Sequence, residues 1–234
     1  MTTIAIAVVA AAGNVAGALA VIRRLEGSLR AIDIGIAFSA GFMLSVALVG
    51  VLPDVFAQGG AAPAWYVLGG YLAVHLAQHV FAPHFHFGEE THRVTAFAGV
   101  AALIGLAVHT FFDGVAIAAG FLTSSKLGIL LAVSVLLHKL PEGVTVASVM
   151  VAGGHSRRGA IGAAGVVGLA TILGVLLTEA VAPLARHGLA LSAGVTLYVA
   201  ASELVPAFQS RRRSVATLAF LGGVGTFLLA NRLV

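Results

Sequence analysis

The chain has 234 residues, of which 59% are hydrophobic and 9% are charged, and its formal net charge is +4. Soluble domains carry about 25% charged residues, so this composition excludes a soluble protein and indicates an integral membrane protein. The chain has no cysteine, which excludes a disulfide framework and a thiolate metal site. The basic balance could indicate an anionic partner such as nucleic acid, but the placement of the basic residues, described below, identifies them as topology signals instead.

The chain begins with an apolar segment that runs to Ile22 and has no basic residue in front of it. A secretory signal peptide carries its basic residues before the apolar core, whereas Arg23 and Arg24 follow the core here. We therefore expect a first transmembrane helix rather than a removed peptide.

Seven more apolar segments follow, each close to the roughly 20 residues that a helix needs to span a membrane. The connections between them are short, and small residues occur throughout, as helix packing in lipid favours. The sequence therefore predicts an all-α integral membrane protein, a single polytopic domain in a lipid bilayer. The predicted spans are Ile4–Ile22, Ile32–Leu52, Pro63–Phe81, Val94–Phe121, Leu127–Ala152, Gly159–Val181, Leu189–Pro206 and Val215–Leu233.

Most basic residues lie in the loops that follow odd-numbered spans, which makes these loops cytoplasmic by the positive-inside rule. Both termini then face outside. The excess of arginine over lysine, with many Ala and Gly residues, is typical of a GC-rich bacterial source, so we expect a multi-pass protein of the inner membrane. The cytoplasmic set is Arg23, Arg24, Arg30, Arg93, Arg157, Arg158, Arg211, Arg212 and Arg213, against Lys126, Arg186 and Arg232 on the other side.

Several acidic and basic residues fall inside the predicted spans, where each charge costs roughly 2.5–3.5 kcal/mol on insertion scales. They must therefore be paired, protonated, hydrated or bound to metal, and they are candidates for function. Asp54 lies at the outer end of the second span. The residues within the spans are Asp113, Lys139, Glu142, Glu179 and Glu203.

Spans four and five carry related motifs, HTFFDG from His109 and HKLPEG from His138. In each motif the histidine and the carboxylate (Asp113 or Glu142) are four residues apart and share one helical face. Imidazole with carboxylate suits Zn²⁺, and less selectively Fe²⁺, Mn²⁺, Co²⁺ or Cd²⁺. Because consecutive spans run antiparallel, the four side chains can converge near the bilayer midplane. One such motif alone could be a satisfied core pair, but two copies on adjacent spans favour a metal site.

Pro141 lies within the second motif, inside a span. A proline inside a helix removes one backbone hydrogen bond, which here frees the carbonyl of Leu137 next to His138. Kinked helices near the midplane are typical of substrate sites in transporters.

A histidine-rich region covers the third predicted span and the loop after it. His75 and His79 are four residues apart, and His84, His86 and His92 follow in the loop. One interpretation is a relay that releases metal to the cytoplasm. The alternative is a packed histidine pair followed by a solvated loop.

At HTFFDG and HKLPEG the chain resembles the ZIP (Zrt-, Irt-like protein) family of divalent metal transporters, over essentially its whole length. The resemblance implies two pseudo-symmetric three-helix units that flank spans four and five, and a homodimer. It also implies uptake of zinc, iron or a related ion into the cytosol rather than an enzymatic reaction.

The resemblance also implies two sets of site residues. Met43, which alone would be typical of core packing, is then a thioether ligand, and Glu203 lies near the pathway. The primary transport site is His109, His138, Glu142 and Met43. A second site, found in binuclear members and sharing Glu142, is Thr110, Asp113, Lys139 and Glu179.

Lys139 departs from the family pattern, because binuclear members have a metal ligand at this position. A protonated ammonium has three donors and no acceptor, so it repels a cation. We therefore expect a mainly mononuclear site in which Lys139 pairs with Asp113 or Glu179. The rival hypothesis is an intramembrane zinc hydrolase that uses the same ligands to activate water, although the HExxH string of many zinc proteases is absent.

Overall fold

The structure, a computed structural model, describes residues 2–23, 29–57, 62–81, 96–206 and 214–233. Within these residues all regular secondary structure is helical, which confirms the predicted all-α class. Two π-helical segments, Val46–Val51 and Val199–Leu204, directly follow α2 and α8. The α-helices are α1 Thr2–Ile22, α2 Leu29–Ser45, α3 Leu52–Ala57, α4 Ala62–Phe81, α5 Ala96–Thr123, α6 Ser125–Ala152, α7 Arg157–Ala180, α8 Ala182–Tyr198 and α9 Ser214–Leu233.

Six helical stretches in the described part of the chain are long and apolar enough to cross a membrane. The third and seventh predicted spans fall outside this set, although both are helical: they correspond to α4 and to α8 with its π-helical extension. The six stretches are Thr3–Ile22, Ile34–Ala57, Ala102–Thr123, Ser125–Ala152, Arg157–Ala180 and Ser214–Leu233.

Short turns with local caps hold α5, α6 and α7 next to one another. Ser124 separates α5 from α6 and accepts a hydrogen bond from the backbone N–H of Leu127 at 3.2 Å, as an N-cap does. Gly154 takes a φ of +84° between α6 and α7, a value that favours glycine. α8 begins at Ala182, earlier than the predicted Leu189, because Pro183 fits the first turn of a helix.

Among the described residues, four pairs of helices cross at reciprocal glycines. At each of these glycines an added Cβ would lie 1.9–2.2 Å from a backbone oxygen of the facing helix. Such close approach gives van der Waals contact between backbones, which drives helix association in lipid. The pairs are Gly17 with Gly143 (α1 and α6), Gly114 with Gly174 (α5 and α7), Gly41 with Gly223 (α2 and α9), and Gly70 with Gly194 (α4 and α8).

The helices divide into two groups. α1, α5, α6 and α7 pack on one another and form the first helix group, while α2, α4, α8 and α9 form the second. α5 and α6 lie at the boundary, where α5 contacts α4 and α8, and α6 contacts α2. Both HxxxDG and HxxxEG motifs are therefore held where the two groups meet.

Hydrogen bonds from side chains join the two groups at this boundary. Ser39 of α2 donates to the carbonyl oxygen of Leu137 at 2.9 Å, and Ser192 of α8 donates to that of Phe112 at 3.2 Å. Each accepting carbonyl belongs to the residue immediately before a predicted ligand, His138 or Asp113. Two hydrogen bonds therefore connect the second group to the backbone next to the candidate ligands.

Candidate metal centre between α5 and α6

The two motifs converge as their spacing predicts. His109 and Asp113 lie one turn apart on α5, and His138 and Glu142 lie one turn apart on α6. All four side chains are buried, with at most 5% of their surface exposed. One ligand atom from each residue lies within 4.8 Å of the others, the one such group in the part of the chain that the structure describes. This chemistry and spacing suit a divalent transition metal.

Asp113 is the hub of the cluster. Its Oδ2 lies 3.2 Å from Nε2 of His138 and 3.5 Å from Nε2 of His109. The resemblance assigned Asp113 to a separate second site, but these contacts bring it together with the two histidines of the primary set. The carboxylate therefore joins the motif of α5 to that of α6.

Lys139 lies between the two carboxylates of the cluster. Its Nζ donates to Oδ2 of Asp113 at 2.6 Å and to Oε2 of Glu142 at 2.7 Å, and the side chain is 1% exposed. Glu179, the other predicted partner, is exposed near the end of α7 and accepts a hydrogen bond from Thr3 at 2.7 Å. The structure thus brings Lys139 to Asp113 and not to Glu179.

His138 is oriented by its own helix. Its Nδ1 lies 2.8 Å from the carbonyl oxygen of Ser134, and because a carbonyl only accepts, Nδ1 carries the proton. In a neutral ring the lone pair of Nε2 then faces Oδ2 of Asp113. Two acceptors facing each other at 3.2 Å repel, and a cation between them removes this repulsion.

Within the cluster, two atoms of the candidate ligands are buried without a hydrogen-bond partner, Nδ1 of His109 and Oε1 of Glu142. Buried polar atoms are nearly always paired. Oε1 of Glu142 is therefore available to a ligand such as a metal ion, while Oε2 of the same carboxylate holds Lys139.

Pro141 has the predicted effect on its helix. The carbonyl of Leu137, which loses its helical partner to the proline, accepts the hydrogen bond from Ser39. The carbonyl of Pro141 itself accepts from the hydroxyl of Thr145 at 3.0 Å. Ser39 was not among the sequence candidates, although the orphan carbonyl signals that a donor from another helix is needed.

Met43 and Thr110 are both buried. Met43 packs in an apolar cluster that includes Val74 of α4. Phe112, the residue before Asp113, packs against this cluster. The hydroxyl of Thr110 donates to the carbonyl of Ala107 on its own helix at 3.1 Å. Thr110 is therefore engaged with its own backbone, and Met43 lies in α2 on the opposite side of the group boundary.

Glu203 belongs to a separate polar network, on the second helix group. Gln78 donates to its Oε1, and Oε1 of Gln78 accepts from the hydroxyl of Tyr198 at 3.1 Å. An added Cβ at Gly105, one turn before His109 on α5, would lie 3.2 Å from Cγ of Gln78. The network thus adjoins the cytoplasmic side of the cluster in the predicted orientation. Gln78 and Tyr198 were not predicted from the sequence, because a single neutral polar residue in an apolar helix carries little signal.

His75 and His79 stack on each other with ring centroids 4.2 Å apart. His75 also meets the ring of Tyr198 edge-on at 5.7 Å, so the pair continues the Tyr198–Gln78–Glu203 network. His79 is exposed and His75 is half-buried. His84, His86 and His92 lie outside the described residues.

Comparisons with known proteins agree with this geometry. The family described as ZIP zinc transporter matches residues 84–231, which include the whole cluster. Zinc transporter ZIP9 of Micropogonias undulatus is 30% identical over 171 residues, or 67% of this chain and 54% of the relative. Zinc transporter zipt-7.2 of Caenorhabditis elegans is 28% identical over 126 residues (50% of this chain, 27% of the relative). Zinc transporter foi of Drosophila melanogaster is 26% identical over 135 residues (54% and 19%). The chain spans about half or less of the length of these relatives.

Proposed function

Because the chain belongs to the ZIP zinc transporter family, we propose that it transports a divalent transition metal, zinc above all, across a membrane into the cytoplasm. The observation that carries this proposal is the buried group of two histidines and two carboxylates on adjacent membrane helices. Cd²⁺, Fe²⁺, Mn²⁺ and Co²⁺ suit the same ligands and are further candidate substrates. The rival intramembrane zinc hydrolase is not favoured, since the family consists of zinc transporters.

The proposed transport site is His109, Asp113, His138 and Glu142. Two imidazole nitrogens and two carboxylate oxygens give the four ligands that Zn²⁺ takes in a tetrahedral site. Met43 is a candidate for a further ligand from the second helix group, through its thioether. Asp113 is moved from the second site, where the resemblance assigned it, because its Oδ2 contacts both histidines.

A mononuclear site follows from the position of Lys139. Its ammonium lies in hydrogen-bond contact with both carboxylates, which two metal ions would otherwise share. An ammonium cannot coordinate a cation and repels one. The fixed charge of Lys139 therefore takes the place of a second ion. Glu179 then serves as a surface partner of Thr3 instead of a ligand.

The transport step that we propose is alternating access. The site lies where the two helix groups meet, so movement of one group against the other can open it to either side. A negative potential inside favours uptake of a doubly charged ion by roughly 4–5 kcal/mol per 100 mV. The Tyr198–Gln78–Glu203 network and the histidines His75 and His79 are the proposed route of release, together with His84 and His86 in the loop.

The finer architecture is part of the same proposal: one polytopic domain of eight spans, pseudo-symmetric units, both termini outside, and a homodimer in a bacterial inner membrane. Pseudo-symmetry is supported by α2 and α8, since each passes into a π-helical segment of six residues. Ser39 of α2 and Ser192 of α8 also each donate a hydrogen bond to a backbone carbonyl of the first helix group, on α6 and α5 respectively.

The test is zinc flux into sealed proteoliposomes, with wild type compared to Glu142→Ala and with the other metals as competitors. We expect saturable uptake that is lost in Glu142→Ala. A matched control is Asp54→Ala, which removes an exposed carboxylate at the start of α3 and should leave uptake unchanged. Tight binding of zinc without flux by the wild type would contradict transport and favour the hydrolase.

A further inference from the structure

We propose that Lys139 is a built-in counter-cation that lets the empty transport site return across the membrane without a coupled ion. This inference rests on the proposed transport function. It concerns the half of the cycle in which no metal is bound, and it predicts that uptake is uncoupled from protons and other ions.

The contacts of Lys139 are those of a cation in the metal's place. Its Nζ lies 2.6 Å from Asp113 and 2.7 Å from Glu142, so it neutralises both carboxylates of the site at once. Its third donor can serve a water molecule or an incoming ligand. Lys139 holds Oε2 of Glu142, whereas Oε1 has no hydrogen-bond partner, so a metal can bind Oε1 while the ammonium keeps part of its contacts.

The stem of Lys139 is held within the first helix group. An added Cβ at Gly13 of α1 would lie 3.2 Å from Cβ of Lys139, so α1 packs directly over the lysine. Asp113, Glu142 and α1 all belong to this same group. The positive charge therefore moves together with the carboxylates that it neutralises, as a counter-cation of the moving site must.

The charge balance explains why such a residue is useful. With neutral histidines, two carboxylates and one ammonium leave the empty site with a single negative charge, and a divalent ion turns this into a single positive charge. Without the lysine the empty site would carry two negative charges and the loaded site none. The free-energy cost of burying a charge grows with the square of that charge. Without the lysine, moving the empty site through the membrane would therefore cost roughly four times as much as with it. With Lys139 the empty and loaded sites carry charges of equal size, so the free energies of moving them are similar.

Two transport assays separate the two halves of the cycle. Exchange of external radioactive zinc for internal zinc needs only the loaded site to cross, whereas net uptake into metal-free vesicles also needs the empty site to return. In Lys139→Met we expect exchange to persist and net uptake to fall at least about tenfold, an added barrier of about 1.4 kcal/mol or more. Lys139→Arg keeps the charge and should restore much of the net uptake.

The chain offers a matched control, because it contains one other lysine, Lys126. Lys126 donates to the carbonyl of Asn231 at 2.5 Å, outside the metal cluster, and Lys126→Met should keep both exchange and net uptake. Equal loss of exchange and net uptake in Lys139→Met, or wild-type net uptake in that variant, would overturn the proposal. Absence of both activities in the wild type would instead reject transport itself.

A measurement on the wild type alone tests the same inference if Lys139→Met does not fold. The vesicle potential is clamped with potassium and valinomycin, and the potential at which net zinc flux reverses is recorded. Uncoupled transport moves two charges per zinc ion, so a tenfold zinc gradient should balance a potential of about 30 mV. A reversal potential of about 60 mV, or one that shifts with an imposed pH gradient, would mean a coupled ion and would reject the counter-cation role.

Discussion

The hydroxyl of Ser39 on α2 donates to the carbonyl oxygen of Leu137 on α6 at 2.9 Å, and this carbonyl is free only because Pro141 cannot donate to it. The bond joins the two helix groups one residue before His138. The carbonyl that the proline leaves without a helical partner is therefore paired, which matters because an unpaired carbonyl is costly in lipid. Its hydrogen bond forms a contact between the two groups next to the candidate metal centre.

Replacement of Ser39 by alanine leaves the Leu137 carbonyl buried without a partner. We expect Ser39→Ala to lower the free energy of unfolding by about 0.5–1.5 kcal/mol. The measurement is the thermal unfolding midpoint in detergent. Ser45→Ala is the control, because Ser45 is also buried on α2 but donates only to the carbonyl of Gly41 on its own helix. Equal effects of the two variants would contradict a special role for the bond between groups.

Gly143 lies where α1 crosses α6, directly after the proposed ligand Glu142. An added Cβ there would lie 2.0 Å from the carbonyl oxygen of Asn14, so Gly143→Ala must push the helices apart. We expect a loss of stability of about 1–3 kcal/mol, or misfolding. Gly162→Ala is the matched control, since a Cβ at Gly162 of α7 meets nothing within 4 Å and an alanine favours the helix. The unfolding midpoints of the two variants should move in opposite directions, and equal shifts would contradict the close crossing.

Glu142 and Asp113 should both matter for metal affinity, because each offers a carboxylate oxygen to the cluster. Loss of a residue that only orients a metal ligand weakens metal binding roughly 10–100-fold. We expect Glu142→Gln and Asp113→Asn each to weaken zinc binding by more than this. Isothermal titration with zinc gives the affinities. If Asp113→Asn binds zinc as tightly as the wild type, Asp113 is a partner of Lys139 and not a ligand.

The number of bound metal ions follows from the fixed charge of Lys139. The wild type should bind one zinc ion tightly per chain between α5 and α6. Lys139→Asp removes the ammonium and adds a third carboxylate beside Asp113 and Glu142, so it should bind up to two. Elemental analysis after gel filtration measures the ratio, and two tightly bound ions in the wild type would refute a mononuclear site.

The metal cluster was predictable because it depends on local geometry. A histidine and a carboxylate four residues apart must share a helical face, and two adjacent antiparallel spans must bring such faces together. The choice of partner for Lys139 was not predictable from spacing. Asp113 and Glu179 both lie in neighbouring spans, and only the packing of α5, α6 and α7 directs the lysine toward Asp113.

The polar network of Gln78 was missed for a different reason. Charged residues in an apolar segment are conspicuous, since each is costly in lipid, but a lone amide or phenol is not. Gln78 and Tyr198 form a network with Glu203 only because α8 packs on α4. The helical nature of α4 and α8 was foreseen, whereas their contacts depend on long-range packing at Gly70 and Gly194.

The histidines His75 and His79 provide the last prediction, which concerns release of the ion. Their rings stack at 4.2 Å, and His75 adjoins Tyr198 of the Glu203 network, so we expect the pair to receive an ion that leaves the proposed metal centre. Replacing both by alanine should slow zinc release while zinc binding at the four-residue cluster stays intact. Stopped-flow efflux from preloaded vesicles measures release, and titration measures binding.

The control for this pair is His187→Ala. His187 stacks on Tyr66 with ring centroids 4.2 Å apart, away from the cluster, so its loss removes a comparable ring contact without touching the proposed route. Zinc release should be normal in this control. If the double variant of His75 and His79 also releases zinc at the wild-type rate, the two rings are a packed pair without a role in transport. The ion would then leave the Glu203 network by a path that does not include these histidines.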